Sequence, residues 1–282
     1  MPQAEILLFD IGNTSVKVGL ASREAVLTSY SLRTDAGQTA DSLGLSLLTL
    51  LGHAGLPVGA IQACVASSVV PGIEPLLQEA CQRFLGCTVL FAPHDIPVPL
   101  VNEYERPHEV GADRLVGAYA ARRLFPQAPA LIAIDFGTAV TFDCITGNRY
   151  MGGLIFPGPL TALAALASNA ARLPRVNLNV QSSEPVVGKN TSTSIQHGLI
   201  FGFASMVEGL TARLRRQMPE PTVVVATGGF AADMARVSAC FDHVLPTLLL
   251  DGLRRLYYEW QAQSPQQAYK AKKNCATLKE NV

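Results

Sequence analysis

The chain opens with a short apolar run at 6–9, a polar turn at 10–14, and a segment in which Val16, Val18 and Leu20 alternate with Lys17 and Gly19. A period of two after a tight turn predicts strand, turn, strand. Strand-like runs at 25–32, 63–66 and 88–91 follow, separated by helical patterns at 40–52 and 73–85. The first half therefore reads as α/β with some antiparallel pairing. A Pro-rich connector at 93–99 leads to a helical pattern over 110–125, and the organisation then restarts. An apolar run at 131–134, a turn at 135–139 and strand-like stretches around Val140, Phe142 and 151–156 repeat the opening. Next come a helix to 173, a polar stretch at 177–194, a helix at 195–218, a strand at 222–226 ending in Thr227-Gly228-Gly229, and another helix. From 263 the chain is polar with four lysines, as in a frayed end or interaction tail.

Asp10 and Gly12 stand in the same relation to their strand as Asp135 and Gly137 do to theirs. Two copies of strand, Asp-x-Gly, strand predict a duplicated α/β architecture. The expected division is 1–110 and 111–262, with a tail at 263–282.

Composition narrows the function classes. With 282 residues, 49% hydrophobic and 16% charged, the chain can bury a sizeable core and is no disordered polymer. Lys plus Arg is 22 and Asp plus Glu is 22, so bulk charge offers nothing to nucleic acid. The six cysteines contain no C-x-x-C pair, which predicts reduced thiols and neither zinc nor a disulfide framework. The first residues lack the charged and apolar regions of a secretion signal, so a cytoplasmic location is expected. The uncharged stretch 151–171 is interrupted by Gly152, Gly153, Pro157, Gly158 and Pro159, which argues against a membrane span. His53, His94, His108, His197 and His243 lack metal-ligand spacing, and no Gly-x-Ser-x-Gly elbow surrounds Ser67 and Ser68.

The turns carry the candidate chemistry. Asp, Gly and Thr within five residues between two strands bring backbone N–H groups and a hydroxyl up to a phosphate, while the carboxylate can hold Mg²⁺ directly or through water. In the first turn Asp10 would serve the metal, Gly12 to Thr14 the phosphates, and Lys17 could neutralise charge. A hairpin using Asp and Asn only for turn geometry would look the same. The second turn, Asp135-Phe136-Gly137-Thr138-Ala139, and the late Gly228-Gly229 change that balance. Two phosphate loops and a bare backbone for adenosine, in this order, resemble the actin, hexokinase and Hsp70 ATPase superfamily. That resemblance implies two duplicated actin-like ATPase (ribonuclease H-like) domains, mixed sheets flanked by helices, with ATP in the cleft between them.

The residues between the loops are more specific. Tyr104-Glu105-Arg106-Pro107-His108-Glu109-Val110-Gly111-Ala112-Asp113-Arg114 resembles the Tyr-x-x-Pro-x-x-Val-Gly-Ala-Asp-Arg signature of type III pantothenate kinases. Asp10 to Thr14, Ser67 to Pro71, Asp135 to Thr141, Gly152 to Gly158, Gly188 to Thr191 and Thr227 to Gly229 match in the family's order. The resemblance implies transfer of the ATP γ-phosphoryl to the primary hydroxyl of pantothenate, the first step of coenzyme A synthesis, in a homodimer. It implies that Asp113 is the general base, at a helix start where the dipole favours a carboxylate. It assigns Tyr104, Gly111, Ala112, Asp113, Arg114 and Thr191 to pantothenate, with Arg114 suited to the carboxylate. Nucleotide contacts would come from Asp10, Ile11, Gly12, Asn13, Thr14, Ser15, Val16, Lys17, Thr138, Gly228 and Gly229. Asp10 would serve Mg²⁺, and Asp135 a monovalent cation, K⁺ or NH₄⁺. A non-catalytic regulatory member of the same family, described as a transcriptional activator, and a phosphate-ester hydrolase on the same fold are the competing readings. No nucleic acid or membrane partner is expected.

Overall fold

A computed structural model describes residues 4–169, 174, 176–179 and 182–266. The chain forms two compact units. One holds the described residues of Met1–Pro99, His108–Ala120 and Leu249–Val282, and the other Leu100–Pro107 and Ala121–Leu248. This differs from a division at 110/111. The helix that follows Gly111 belongs to the first unit as far as Ala120, and the last helix from Leu249 does too.

In the first unit β1 (Ile6–Ile11), β2 (Ser15–Ala21), β3 (Val26–Arg33), β4 (Ala63–Ser68) and β5 (Val89–Ala92) form one sheet in the order β3-β2-β1-β4-β5. Its central strand β1 runs antiparallel to β2 and parallel to β4. Alternation sorts the side chains. Leu7, Phe9 and Ile11, with Val16, Val18 and Leu20, join the core formed with α1 (Ala40–His53) and α2 (Glu74–Leu85). Thr39 caps α1 by accepting the Ser42 N–H, and Gly86, in the left-handed region at φ 68°, closes α2. The helix α3 (Ala112–Leu124) begins directly after Gly111.

The second unit repeats the plan. Its strands are β6 (Val101–Asn102), β7 (Ala130–Phe136), β8 (Ala139–Thr146), β9 (Arg149–Pro157), β10 (Thr222–Thr227) and β11 (His243–Val244), ordered β11-β10-β7-β8-β9-β6. Again the central strand pairs antiparallel with its successor and parallel with a later strand. The helices are α4 (Pro159–Asn169), α5 (Thr191–Arg215) and the short α6 (Ala231–Met234). Phe203 and Val207 of α5 pack with Ile132, Ile134, Phe142 and Val224 of the sheet. The last helix, α7 (Leu248–Gln263), returns to the first unit. There Leu250 lies over Gly19, where a Cβ would stand 3.2 Å from Leu250 Cδ1, so α7 covers the face of the first sheet away from α1 and α2.

Two expectations are corrected and a third lies outside the described residues. α5 starts at Thr191 rather than 195, because the Asn190 side chain caps it by accepting the Thr193 N–H at 2.9 Å. The polar Asn-Thr-Ser-Thr stretch is therefore a helix entry, not the end of a loop. α4 is described to Asn169, and the expected continuation over 170–173 lies outside the described residues, as does the tail beyond 266. Cys64, Cys81, Cys144 and Cys240 are free, but Cys87 is disulfide-bonded, against the expectation of reduced thiols throughout. A single bond needs no regular Cys spacing, so the sequence pattern carried no sign of it.

Candidate active site

The two Asp-x-Gly turns are alike in plan but differ by one residue, 12–15 linking β1 to β2 and 137–139 linking β7 to β8. Gly12 N donates to Ser15 O at 3.1 Å, and Gly137 N donates to Ala139 O at 3.0 Å. In the first turn Thr34 holds the backbone, its Oγ1 donating to Gly12 O at 2.6 Å and its N to Thr14 O at 3.1 Å. In the second, Thr138 O accepts Gly158 N at 2.9 Å and Thr161 Oγ1 at 2.6 Å. A Cβ on Gly158 would lie 2.2 Å from Gly137 O, so only glycine allows that closure.

Register places the acids. Asp10 pairs with Lys17 on β2 and with Ser67 on β4, and Asp135 pairs with Thr141 on β8 and Thr227 on β10. Side chains paired across strands share a face. Lys17 Nζ lies 3.7 Å from Asp10 Oδ2, a contact long enough for the ammonium to turn toward a phosphate. Ser67 is fully buried, and its Oγ has no hydrogen bond among the described residues. Such an atom beside a carboxylate is a ready polar contact for a ligand. Thr227-Gly228-Gly229 closes on Asp135: a Cβ on Gly228, at φ 92°, would lie 2.2 Å from Asp135 Oδ1 and 2.6 Å from Phe136 N.

The Gly-Ala-Asp-Arg segment is seated on the first turn. Val69 N donates to Ile11 O at 3.1 Å, which ties the end of β4 to the end of β1. A Cβ on Gly111 would lie 3.4 Å from Val69 Cγ1 and 2.5 Å from Asp113 Oδ1. Asp113 Oδ1 accepts the Arg114 N–H at 2.7 Å in the first turn of α3. Burial raises the Asp113 pKa, opposed by the Arg114 backbone N–H and then the Arg114 charge. Because the folded pKa lies above the unfolded one, the carboxyl favours the fold below the unfolded pKa. That contribution is lost as pH rises through the folded value. Above the folded pKa the ionised Asp113 therefore works against stability. Arg114 is itself buried.

Tyr104 rests on β9. A Cβ on Gly152, at φ 104°, would lie 3.4 Å from the Tyr104 ring, and the Tyr104 and Tyr150 centroids are 6.5 Å apart. Tyr150 is fully buried and its hydroxyl donates to Asp143 Oδ1 at 2.8 Å; Asp143 is 4% exposed and also accepts from Thr141 Oγ1. Asp143 and Tyr150 were not singled out in the sequence, although an acid in an otherwise apolar strand is a signal. Thr191 opens α5, where a Cβ on Gly188 would lie 2.4 Å from Ser194 Oγ. The sequence-predicted residues thus divide: Asp10 to Lys17 and Gly111 to Arg114 belong to the first unit, and Tyr104, Asp135, Thr138, Thr191, Gly228 and Gly229 to the second.

The profile of the family described as type III pantothenate kinase matches residues 6–213. A Desulfovibrio desulfuricans protein of that name is 68% identical over 257 residues, which covers 91% of this chain and 98% of the relative. The chain belongs to the type III pantothenate kinase family. A Bacillus cytotoxicus member is 38% identical over 253 residues, covering 89% of this chain and 95% of its own length. Among solved structures, a Baf family protein from Campylobacter jejuni aligns with TM-score 0.57 at 17% identity, over 90% of this chain and 98% of that one. The ethanolamine utilization protein EutJ from Carboxydothermus hydrogenoformans aligns at TM-score 0.53 and 10% identity, covering 90% of each chain. These distant likenesses show the fold alone.

A type III pantothenate kinase uses ATP and a divalent metal. The glycine turns fit phosphates, since a Cβ at Gly12 would come within 3.3 Å of Ser15 O. No group of three or more His, Cys, Asp or Glu that could hold a metal occurs among the described residues. Mg²⁺ keeps several waters and binds through one or two carboxylates plus substrate phosphates. No helix among the described residues is long and apolar enough to cross a membrane.

Proposed function

We propose that the chain transfers the γ-phosphoryl group of ATP to the primary hydroxyl of pantothenate, giving ADP and 4′-phosphopantothenate, the first step of coenzyme A biosynthesis. The observation that carries this reading is Asp113. Its carboxyl is held against Gly111 at the start of α3, raised in pKa by burial, and joined through Val69 to the strand end that opens the first phosphate turn. Asp113 accepts the hydroxyl proton as the hydroxyl oxygen attacks the γ-phosphorus. Arg114 holds the pantothenate carboxylate, with Tyr104, Gly111, Ala112 and Thr191 completing the substrate contacts. The amides from Ile11 to Val16 and Lys17, with Thr138, hold the phosphates, and Gly228 and Gly229 receive the adenosine. Asp10 would hold Mg²⁺, which would supply neutralisation of phosphate charge.

Asp135 holds a monovalent cation, K⁺ or NH₄⁺. The support is the Gly228 backbone, close enough to Asp135 that a Cβ would collide with its Oδ1. We assign the homodimer interface to β9 and α4, where Met151, Leu154, Ile155, Phe156, Leu160 and Leu166 are exposed together. The proposed location is the cytoplasm. ADP release is to be followed with ATP and Mg²⁺, with and without pantothenate, in potassium and in sodium. The reading requires ADP only with pantothenate and faster in potassium. ADP without pantothenate would make the chain a hydrolase, and none in any mixture would make it a regulatory member.

A further inference from the structure

The first unit contains a cavity walled in part by side chains of Ile11 and Val16, whose backbone amides alone are assigned to the phosphates. It has a volume of about 230 Å³ and lies on the face of the first sheet covered by α1 and α2. Its walls include Phe9, Ile11, Val16 and Val18 of the β1–β2 hairpin, with Leu43 of α1 and Leu77 of α2. Leu32 and Ile73 extend the apolar wall, and the polar lining is Ser46 of α1 with Arg33, Asp35 and Gln38, where β3 gives way to the α1 entry. Close-packed interiors leave few voids larger than a water, and this one is roughly seven times the ~30 Å³ of a water in the liquid. It is smaller than the roughly 300–1,000 Å³ of pockets for drug-sized ligands. Its occupant therefore has fewer than about a dozen non-hydrogen atoms.

The rim decides the class of ligand. Arg33 forms no ion pair or side-chain hydrogen bond among the described residues, and its partner in sign, Asp35, is not bridged to it. Asp35 Oδ1 accepts Gly37 N at 2.9 Å, which fixes the carboxylate in a tight turn. A plain carboxylate would meet Arg33 but be repelled by Asp35, and a plain amine would meet the reverse. A zwitterion satisfies both. We propose that the cavity binds a free α-amino acid with an apolar side chain of leucine size, its carboxylate on Arg33, its ammonium on Asp35 and its side chain among Phe9, Val18, Leu43 and Leu77. The wall residues alternate along the hairpin with Asp10 and Lys17, so the ligand sits behind the first phosphate turn. Binding there does not depend on the kinase reading.

The test is calorimetric titration of the full chain, free of nucleotide and pantothenate, with L-leucine, 4-methylpentanoate and 3-methylbutylamine as probes. The last two lack the ammonium and the carboxylate in turn. The expected result is leucine binding at least tenfold tighter than either analogue, and weakened at least tenfold by Arg33→Gln and by Asp35→Asn. Both substitutions are at exposed positions and leave the fold intact, which circular dichroism checks. A second variant, Leu43→Phe, fills the cavity from within and is expected to abolish the heat while the two rim residues remain. Any of three results overturns the proposal: no heat with leucine at 10 mM, equal affinity for the carboxylate alone, or binding untouched by the Arg33 and Asp35 variants. ADP release that failed to need pantothenate would defeat the kinase reading and leave these outcomes unchanged.

Discussion

Gly111→Ala puts a methyl group into the seat of the proposed base. On the unmoved backbone its carbon would stand 2.5 Å from Asp113 Oδ1 and 3.4 Å from Val69 Cγ1. The Val69 contact is tolerable, but the carboxylate must withdraw by about 0.9 Å to reach the same 3.4 Å spacing. The carboxylate has little freedom, because its Oδ1 is fixed by the Arg114 N–H at 2.7 Å. A misplacement near 1 Å in a catalytic constellation costs about 10²-fold in rate. Overpacking of this kind costs ~1–3 kcal/mol of stability. The expected variant is therefore folded, with a modestly lower Tm and kcat down about 10²-fold. ADP release at saturating ATP and pantothenate gives kcat, and circular dichroism gives Tm. A folded Gly111→Ala enzyme with kcat within threefold of the parent would refute the placement of Asp113 as the group that meets the hydroxyl.

Gly228→Ala meets Asp135 Oδ1 at 2.2 Å and Phe136 N at 2.6 Å from a left-handed backbone, so a loss of ~2–4 kcal/mol and a Tm lower by at least ~5 °C are expected by thermal melting. An unchanged Tm would show that this turn is not packed as described. Ile155→Glu places a charge on the most exposed residue of the β9–α4 apolar patch, 65% exposed, and is expected to convert a dimer to a monomer by light scattering. A dimer that persists would move the interface elsewhere. Tyr150→Phe removes the 2.8 Å bond to buried Asp143 beneath Tyr104. Stability should fall by ~1–3 kcal/mol in urea, and the KM for pantothenate should rise more than kcat falls; equal KM values would mean that the shelf does not position Tyr104.

The duplicated plan was legible because Asp-x-Gly recurs in the same relation to an apolar strand at Asp10 and at Asp135. At Gly158 and Gly228 any Cβ would strike backbone atoms, whereas at Gly12 and Gly137 it would lie 3.3 Å and 3.6 Å from the nearest backbone oxygen, so the repeat was read from spacing and not from a steric demand. Residues whose role depends on register were less visible. Asp143 reaches Tyr150 because β8 and β9 shift register between Cys144 and Ile145, and nothing in an alternating pattern announces a bulge. The start of α5 was misplaced because Asn190, Thr191, Ser192 and Thr193 are as suited to a loop as to a cap. The assignment of α3 and α7 to the first unit was equally hidden. It rests on contacts such as that of Gly252 with Val116 O and Ala120, whose members are more than 100 residues apart.

The central claim is that Asp113 accepts the proton when pantothenate takes the phosphoryl group, and Asp113→Asn tests it most directly. General base catalysis contributes about 10²–10⁴-fold, so pantothenate-dependent ADP release should fall by that factor. In the parent, kcat should decline as pH falls through a pKa above the ordinary carboxylate value, and the variant's residual rate should lack that step. Loss of an ionised group that opposes folding should leave the variant's Tm at neutral pH equal to the parent's or higher. A folded Asp113→Asn protein that turns over pantothenate within threefold of the parent, with the same pH profile, would contradict the account.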